Sequence, residues 1–551
     1  TEPMHTFSVE DGDAATMSST AQKNRFASSW FALRLAGMLL IGLVLGAVVA
    51  AASHFSFANA MAGNRDDGMR PFTEPSPATA STTLAPVLGD GTAVEWWFAF
   101  KPITAAFPRC SRNVSCMFGG EAMAFENPPR FGLQYILASR GLDGTTQPLQ
   151  LHSDCIGNGE DPLAKTFQQA AFPRCSRNVS CMFGGEAMAF ENPPRFGLQY
   201  ILASRGLDGT TQPLQLHSDC IGNGEDPLAK TFQQIYSGAA SNYVLWNDQF
   251  YDDPVPDIDP PCVKYCAKPW GHSKGFMAWQ EDGTGFVVQV TTPDWPGSGG
   301  SQYPRKEQGN TLGCCEDDNV MVAQHFFALR LNSANDTLAV LQALHRASVV
   351  TDTKNPQLVK LTSGPSDLKQ AASQLGQQVL DILEPFQGDI SARNKASKVH
   401  LIAKPSGLQV PPWHLVSSLL ETPLRTATWW TKPAINSTHE GYHPGCWHES
   451  LKPSTPEVQV GLSGRWQNTT FSFLGVPKTD GNHAKLGHSL SGRKLAIMSD
   501  MNQQGALDPD NPTGSCDLSQ NSRGGLFFVV EDPVFHAGLV DLMTGETAAY
   551  V

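Results

Sequence analysis

"HSKGFMAWQEDGTGFVVQVTT", His272 to Thr292, consists of two apolar runs separated by a polar turn that contains glycine, and this alternation predicts a β-hairpin. Much later in the chain, "HAKLGHSLSGRKLAIMSD", His483 to Asp500, follows the same plan. Residues two apart on a strand point to one face, so His272 projects with Lys274 and His483 with Lys485. Matching hairpins, each opened by H-x-K, point to two pseudo-equivalent halves.

Outward from the hairpins, "SNYVLWND" and "FSFLGV" read as further short strands, and "VEWWFAFKP", Val94 to Pro102, as a buried strand closed by proline. "SDLKQAASQLGQQVLDILEPF", Ser366 to Phe386, predicts a helix. Leu368, Ala371, Leu375, Val379 and Ile382 fall near helical spacing, with Ser366 as N-cap. "DTLAVLQALHRASVV", Asp336 to Val350, predicts a shorter one, so the class is mixed α/β. The chain divides into a leader (1–60), a Pro/Ser/Thr-rich linker (61–90), a first half with one H-x-K (91–335) and a second half with the other (336–551).

One feature of the first half stands apart: residues 105–169 recur without a change at residues 170–234. Structural repeats diverge as each copy adapts to its neighbours, so this is a recent tandem duplication or a gene-model error, and it leaves one copy redundant to the core. Each copy brings three of the 12 cysteines, and a single-copy chain would hold an odd number. Cysteine pairing does not follow from the sequence.

The formal charge of −13 argues against a protein that coats nucleic acid at neutral pH, because phosphate contacts need positive charge. The 15 histidines, which titrate around pH ~6.5 when unperturbed, are enough to cancel it in a mildly acidic compartment. Near the N-terminus, Lys23, Arg25 and Arg34 flank or enter the apolar run Leu35 to Ala52, and "ANA" follows at Ala58 to Ala60. This reads as a secretory signal, with an uncleaved anchor as the competing reading and membrane attachment only in that case. Sequons at Asn113, Asn178, Asn335, Asn436 and Asn468 agree with a luminal or secreted glycoprotein, and the cysteines then favour disulfides.

A phosphodiester needs a nucleophile, a proton donor for the leaving oxygen, and positive charge at its non-bridging oxygens. Two histidines and two lysines supply all three. Other constellations are weaker. "CVKYC", Cys262 to Cys266, and "YHPGCWHE", with His443, Cys446 and His448, lack the usual metal-ligand spacing, and no metal or cofactor is expected. No Walker loop or G-x-S-x-G elbow is present.

The ordered set "VEWWFAFKP", "GLQYILA", "LAKTFQQIYSG", "YVLWNDQ", "HSKGFMAW", "GFVVQVTTPDWP", "NVMVAQHFFAL", "NHAKL", "SDMN" and "SRGGLFFVVEDP" resembles the deoxyribonuclease II family from about Ala93 to the C-terminus. The resemblance implies a phospholipase D-like fold: two pseudo-symmetric α/β halves, each with a central mixed β-sheet flanked by helices, and an active site on the pseudo-two-fold axis. It also implies a lysosomal or secreted acid endonuclease that cuts double-stranded DNA without divalent metal, leaving 3′-phosphate and 5′-hydroxyl ends by way of a phosphohistidine. His272, Lys274, His483 and Lys485 match its catalytic positions. Which histidine is the nucleophile stays open.

There are departures from the pattern. Five residues past the lysines, where phospholipase D carries aspartate, stand Trp279 and Leu490. Leu486 stands where the family has tryptophan, and "SDMN" where it has "GDIN". Asn502 keeps its position as a phosphate-binding amide. Its first-half counterpart falls near Thr291 or Thr292, or at Asn310. The alternatives are a catalytically silent relative that binds DNA or a cell-surface partner, and a phosphodiesterase acting on lipid or small substrates. No protein partner is expected.

Overall fold

The computed structural model describes residues 83–102, 114–118, 121–125, 134–140, 146–155, 199–221, 226–236, 238–249, 257–262, 265–293, 322–391, 398–475, 481–510 and 515–551. The leader and nearly all of the linker lie outside them. Among the described residues no helix is long and apolar enough to cross a membrane.

Strand β1 (Val94–Lys101) is buried along its whole length, as its unbroken apolar run predicts. The first copy of the duplicated segment forms β2 (Val114–Phe118), β3 (Glu121–Phe125), β4 (Gln134–Arg140) and β5 (Thr146–Cys155). The second copy forms β6 (Gln199–Gly206), β7 (Thr211–Cys220) and most of helix α1 (Pro227–Tyr236). Next come β8 (Asn242–Trp246), β9 (Gly275–Trp279), β10 (Gly285–Val290), β11 (Gln324–Leu331), α2 (Ala334–Arg346), β12 (Val359–Leu361) and α3 (Ser366–Ser373). The second half follows with β13 (Phe386–Ile390), β14 (Lys398–Lys404), α4 (Pro412–Leu420), β15 (Leu424–Ala427), β16 (Val458–Val460), β17 (Ser463–Trp466) and β18 (Thr469–Ser472). It ends with β19 (Leu486–Ser489), β20 (Leu495–Ser499), β21 (Gly525–Glu531) and α5 (Pro533–Leu542).

Two large sheets carry the fold, ordered β12-β8-β9-β10-β11-β1-β6-β7 and β13-β14-β21-β20-β19-β15-β16. Within them, β1, β8, β9, β10 and β11 correspond in chain order to β14, β15, β19, β20 and β21. In both sheets the first of these strands lies beside the fifth, which is followed by the fourth, third and second. The halves are thus equivalent in topology although their sequences differ. Only the second sheet is mixed, through the parallel pair β15·β16. The first is antiparallel throughout, which corrects the expectation of two mixed sheets. A parallel neighbour requires a long crossover, and between β15 and β16 the chain makes one.

The sheets share one core. Phe327 of β11 and Phe528 of β21 have ring centroids 5.6 Å apart, and Phe98 of β1 packs 5.0 Å from Phe535 of α5. Strands β8, β9, β10 and β20 are buried on both faces, which is why they read as continuous apolar runs. Both expected hairpins form, β9 with β10 and β19 with β20.

The predicted helix over Ser366 to Phe386 ends at Ser373. Gly376 takes φ +72°, and a Cβ there would meet the Thr351 carbonyl oxygen at 2.4 Å, so the chain turns out of the helix. Leu375 and Val379 are still buried, by a loop, whereas Ile382 faces solvent. Ser366 is the first helical residue and Pro365 occupies the N-cap. The division placed at 335/336 falls inside α2, and β12, from beyond it, pairs with β8 in the first sheet.

Of the two identical copies, the second enters the sheet: β6 pairs with β1 and β7 with β6. Arg205 Nη1 and the Thr211 hydroxyl both donate to Asp532 Oδ2, at 3.0 and 2.5 Å, tying this hairpin to the N-cap of α5. The first-copy strands pair as β2·β3 and β4·β5, each a separate two-stranded sheet. Deleting residues 105–169 or 170–234 produces one and the same chain. That chain is expected to fold with unchanged far-UV circular dichroism and a thermal midpoint no lower than the parent's, because closing a long excursion costs only about a few kcal/mol of entropy, which deletion returns. An unfolded product in scanning calorimetry would show that both copies are needed.

Candidate active site

The two H-x-K motifs sit just ahead of β9 and β19, in the extended lead-in to each strand. Gly275, immediately after Lys274, is required by close approach: a Cβ there would lie 2.4 Å from the Val288 carbonyl oxygen and 2.5 Å from the Trp246 ring. The Lys274 carbonyl accepts from the Val290 N–H at 3.1 Å and the Lys485 carbonyl from the Ser499 N–H at 3.0 Å, so each lysine extends its own hairpin. The histidines bond across to the other half. His272 N–H donates to the Gly524 carbonyl and His483 N–H to the Ala323 carbonyl, both at 2.8 Å.

This exchange brings both motifs to one cleft, lined by His272, Lys274, His483 and Lys485 with Gln249, Thr291, Trp429 and Asn502. The open space there, which runs out into solvent, is about 210 Å³.

On the His272 side the cleft is ionic. Asp248, wholly buried, bonds Lys274 Nζ at 2.5 Å through Oδ1 and Arg523 Nη2 at 2.7 Å through Oδ2. Arg523 also donates to the carbonyls of Trp270, Cys266 and Gly271. His272 Nδ1 lies 2.5 Å from the Asp500 carbonyl oxygen. A carbonyl only accepts, so Nδ1 carries the proton and Nε2 the lone pair. The Asp500 carboxyl accepts from the Ser273 hydroxyl at 2.7 Å and is pushed up to about 7 by burial.

The His483 side is less ionic. Trp429 meets the imidazole edge-on, with centroids 4.7 Å apart at 85°. Lys485 Nζ donates to the His483 carbonyl at 2.6 Å, and Lys485 N–H donates to Nδ1 of the buried His325 at 3.1 Å. Burial, then Lys485, Lys274 and Lys101, hold the His483 pKa well below the usual histidine range. Burial does the same to His272, followed by Lys274, Arg523 and Lys485.

All four H-x-K residues therefore come together, with Asn502 beside them. Asn502 Nδ2 donates to Gln504 at 2.9 Å, and its second hydrogen remains to be offered elsewhere. Thr291 lines the cleft, Thr292 is buried, and Asn310 lies outside the described residues. Asn335 and Asn468 are exposed and Asn436 is half-buried; Asn113 and Asn178 lie outside the described residues. Cys262 pairs with Cys266 and Cys446 with Cys516. His443 and His448 bond the Pro453 carbonyl and the Ser450 hydroxyl. Asp248, Arg523, Trp429 and Asp500 were not singled out by the motif reading. Asp248, Arg523 and Asp500 lie within the stretches "YVLWNDQ", "SRGGLFFVVEDP" and "SDMN" and Trp429 lies outside them, but no spacing in the sequence marks any of the four as a site residue.

The halves thus define an α/β protein with a lysine-lined cleft where two topologically equal sheets exchange backbone bonds. The deoxyribonuclease II model matches residues 191–536, most of the chain, and the chain belongs to that family. No curated protein matches it closely enough to count as a relative. The matched span takes in the β6–β7 hairpin of the second copy and begins after the first.

Asp248→Asn leaves Lys274 and Arg523 buried against a neutral partner. It is expected to cost about 3–5 kcal/mol in urea unfolding, against less than 1 for the exposed Asp257→Asn. His414, wholly buried with Nε2 3.0 Å from the Thr438 hydroxyl, is pushed down to about 3 by burial. A base with a depressed folded pKa takes up protons more readily when unfolded, so the stability it contributes is complete above pH ~6.5 and is lost as pH falls toward 3. The thermal midpoint is expected to drop between pH 7.5 and 4.5, and to drop less in His414→Gln, which keeps an N–H donor; equal drops would exclude His414 as a source.

Proposed function

We propose that the chain is an endodeoxyribonuclease that hydrolyses double-stranded DNA to 3′-phosphate and 5′-hydroxyl ends, on a phospholipase D-like fold and without a divalent metal. The observation that carries this reading is the convergence of both H-x-K pairs on one cleft. The repeated strand order, with an H-x-K ahead of the third strand in each half, supports the fold assignment.

His272 Nε2 holds the lone pair and attacks phosphorus. As the P–N bond forms, the P–O5′ bond breaks, and O5′ leaves with the electron pair and takes the proton of a protonated His483. Water then attacks the phosphohistidine and gives a proton back to His483. The P–N bond breaks to release the 3′-phosphate, and the lone pair returns to His272. Lys274 and Lys485 set positive charge around the non-bridging oxygens, with Asp248 offsetting part of it, and Thr291, Gln249 and Asn502 offer polar contacts.

An acid optimum follows from the electrostatics. In the empty cleft, burial and the neighbouring lysines oppose protonation of both histidines, whereas the negative charge of a bound phosphodiester favours it. Substrate binding and proton uptake are therefore linked, and acid drives both. The secretory leader, the exposed sequons and the disulfides support a lysosomal or secreted setting.

The test is cleavage of supercoiled plasmid in EDTA from about pH 4.5 to 7.5, a range that brackets histidine titration. Cleavage is expected on the acid side only. His272→Ala and His483→Ala are each expected to lose about 10³-fold or more with an unchanged thermal midpoint. Retention of activity within tenfold by either variant would sink the mechanism. Hydrolysis of phospholipid in place of DNA would move the chain to the lipid phosphodiesterases, and DNA binding without cleavage would make it a silent relative.

A further inference from the structure

Two buried lysines outside the H-x-K motifs occupy equivalent places in the two halves. Lys101 ends β1 and Lys404 ends β14; each is the last residue of the first core strand, each is followed by proline, and neither is exposed. The strands themselves share little else, "VEWWFAFKP" against "KVHLIAKP". Each ammonium is turned onto backbone carbonyls. Lys101 Nζ donates to the Val322 carbonyl and reaches that of Pro102 at 3.5 Å. Lys404 Nζ donates to the carbonyls of Asn521, Arg523 and Pro405 at 2.6, 3.0 and 3.3 Å.

The carbonyls of Val322, Asn521 and Arg523 belong to the segments that enter β11 and β21, the same segments that hold the histidines. Ala323, next to Val322, accepts from His483 N–H at 2.8 Å and donates to the Gly481 carbonyl at 2.9 Å. Gly524, next to Arg523, accepts from His272 N–H at 2.8 Å. A single peptide unit thus separates each lysine's acceptor from the bond that hangs a histidine. The connection is crossed, since Lys101 and Ala323 lie in the first half with His483 in the second, and Lys404 and Gly524 in the second with His272 in the first.

We propose that Lys101 and Lys404 are positioning residues: each clamps the strand entry from which the opposite half's histidine hangs, Lys101 for His483 and Lys404 for His272. The assignment rests on the nuclease reading only for its consequence in turnover. Burying a lysine is costly, and burial alone pushes Lys101 down to about 7 and Lys404 well below the lysine range. A methionine of similar length would fill either slot without that cost. Lys101 also adds to the positive field on His483, behind burial, Lys485 and Lys274.

The experiment compares Lys101→Met and Lys404→Met in the full chain by amide hydrogen exchange resolved by mass spectrometry, with plasmid cleavage alongside. The expected result is crossed. Lys101→Met raises exchange at least tenfold in the peptide over residues 481–485 and leaves residues 270–274 unchanged, and Lys404→Met does the reverse. In cleavage each variant lowers kcat at least tenfold with KM within twofold, since the substrate-facing charges remain. Exchange that rises equally in both peptides, or in neither, overturns the proposal whatever the nuclease assay shows. If the crossed pattern appears in a protein that cuts no DNA, the clamps stand and the functional reading fails. Should a methionine variant not fold, Lys→Leu, which also removes the donor, takes its place with the same crossed expectation; if neither substitution folds at either site, the lysines hold the whole fold and the proposal is wrong.

Discussion

The His272 N–H bond to Gly524 and the His483 N–H bond to Ala323 are the constraint on which the rest depends. Each motif is built by the hairpin of its own half and fixed by the strand entry of the other. Neither half alone completes the cleft, and a shift of one sheet against the other would move both histidines. The shared core, in which Phe327 packs on Phe528, resists such a shift because close-packed interiors do not deform continuously.

Equal topology does not make the two sides chemically equal. After the second core strand of the first half comes Asp248, bonded to Lys274 and Arg523; after that of the second half comes Trp429, edge-on to His483. A carboxylate holds the charge on one side, and an aromatic wall lowers the local dielectric on the other. A pseudo-symmetric scaffold thereby separates two histidines that the motifs alone present as equals. His272 has its tautomer set by the Asp500 carbonyl, and His483 sits against an apolar surface among lysines.

The duplicated segment shows how strictly the sheet selects its strands. Two identical hairpins compete for the one edge beside β1, and β6–β7 takes it while β4–β5 pairs only with itself. Identical sequences have identical propensities, so the choice rests on connection. The second copy runs straight into α1 and then β8, next in the same sheet, and short connections between neighbouring elements are favoured.

Much of this was legible in local pattern. The two hairpins, the buried β1, the helix read over Asp336 to Val350 and found at Ala334–Arg346, and the four H-x-K residues follow from period-two and helical spacing and from turn chemistry, which act over a few residues. The helix read over Ser366 to Phe386 failed because Gly376 meets Thr351, a contact no local period contains. The roles of Asp248, Arg523 and Trp429 were invisible for the same reason: their partners lie 26 to 275 residues away and are chosen when the strands close into sheets. The motifs, their hairpins and the family resemblance are therefore readable along the chain. That the motifs share one cleft, which copy of the duplication enters the sheet, and which side of the site is ionic depend on burial and strand order between distant segments, and these exist once the sheets have formed.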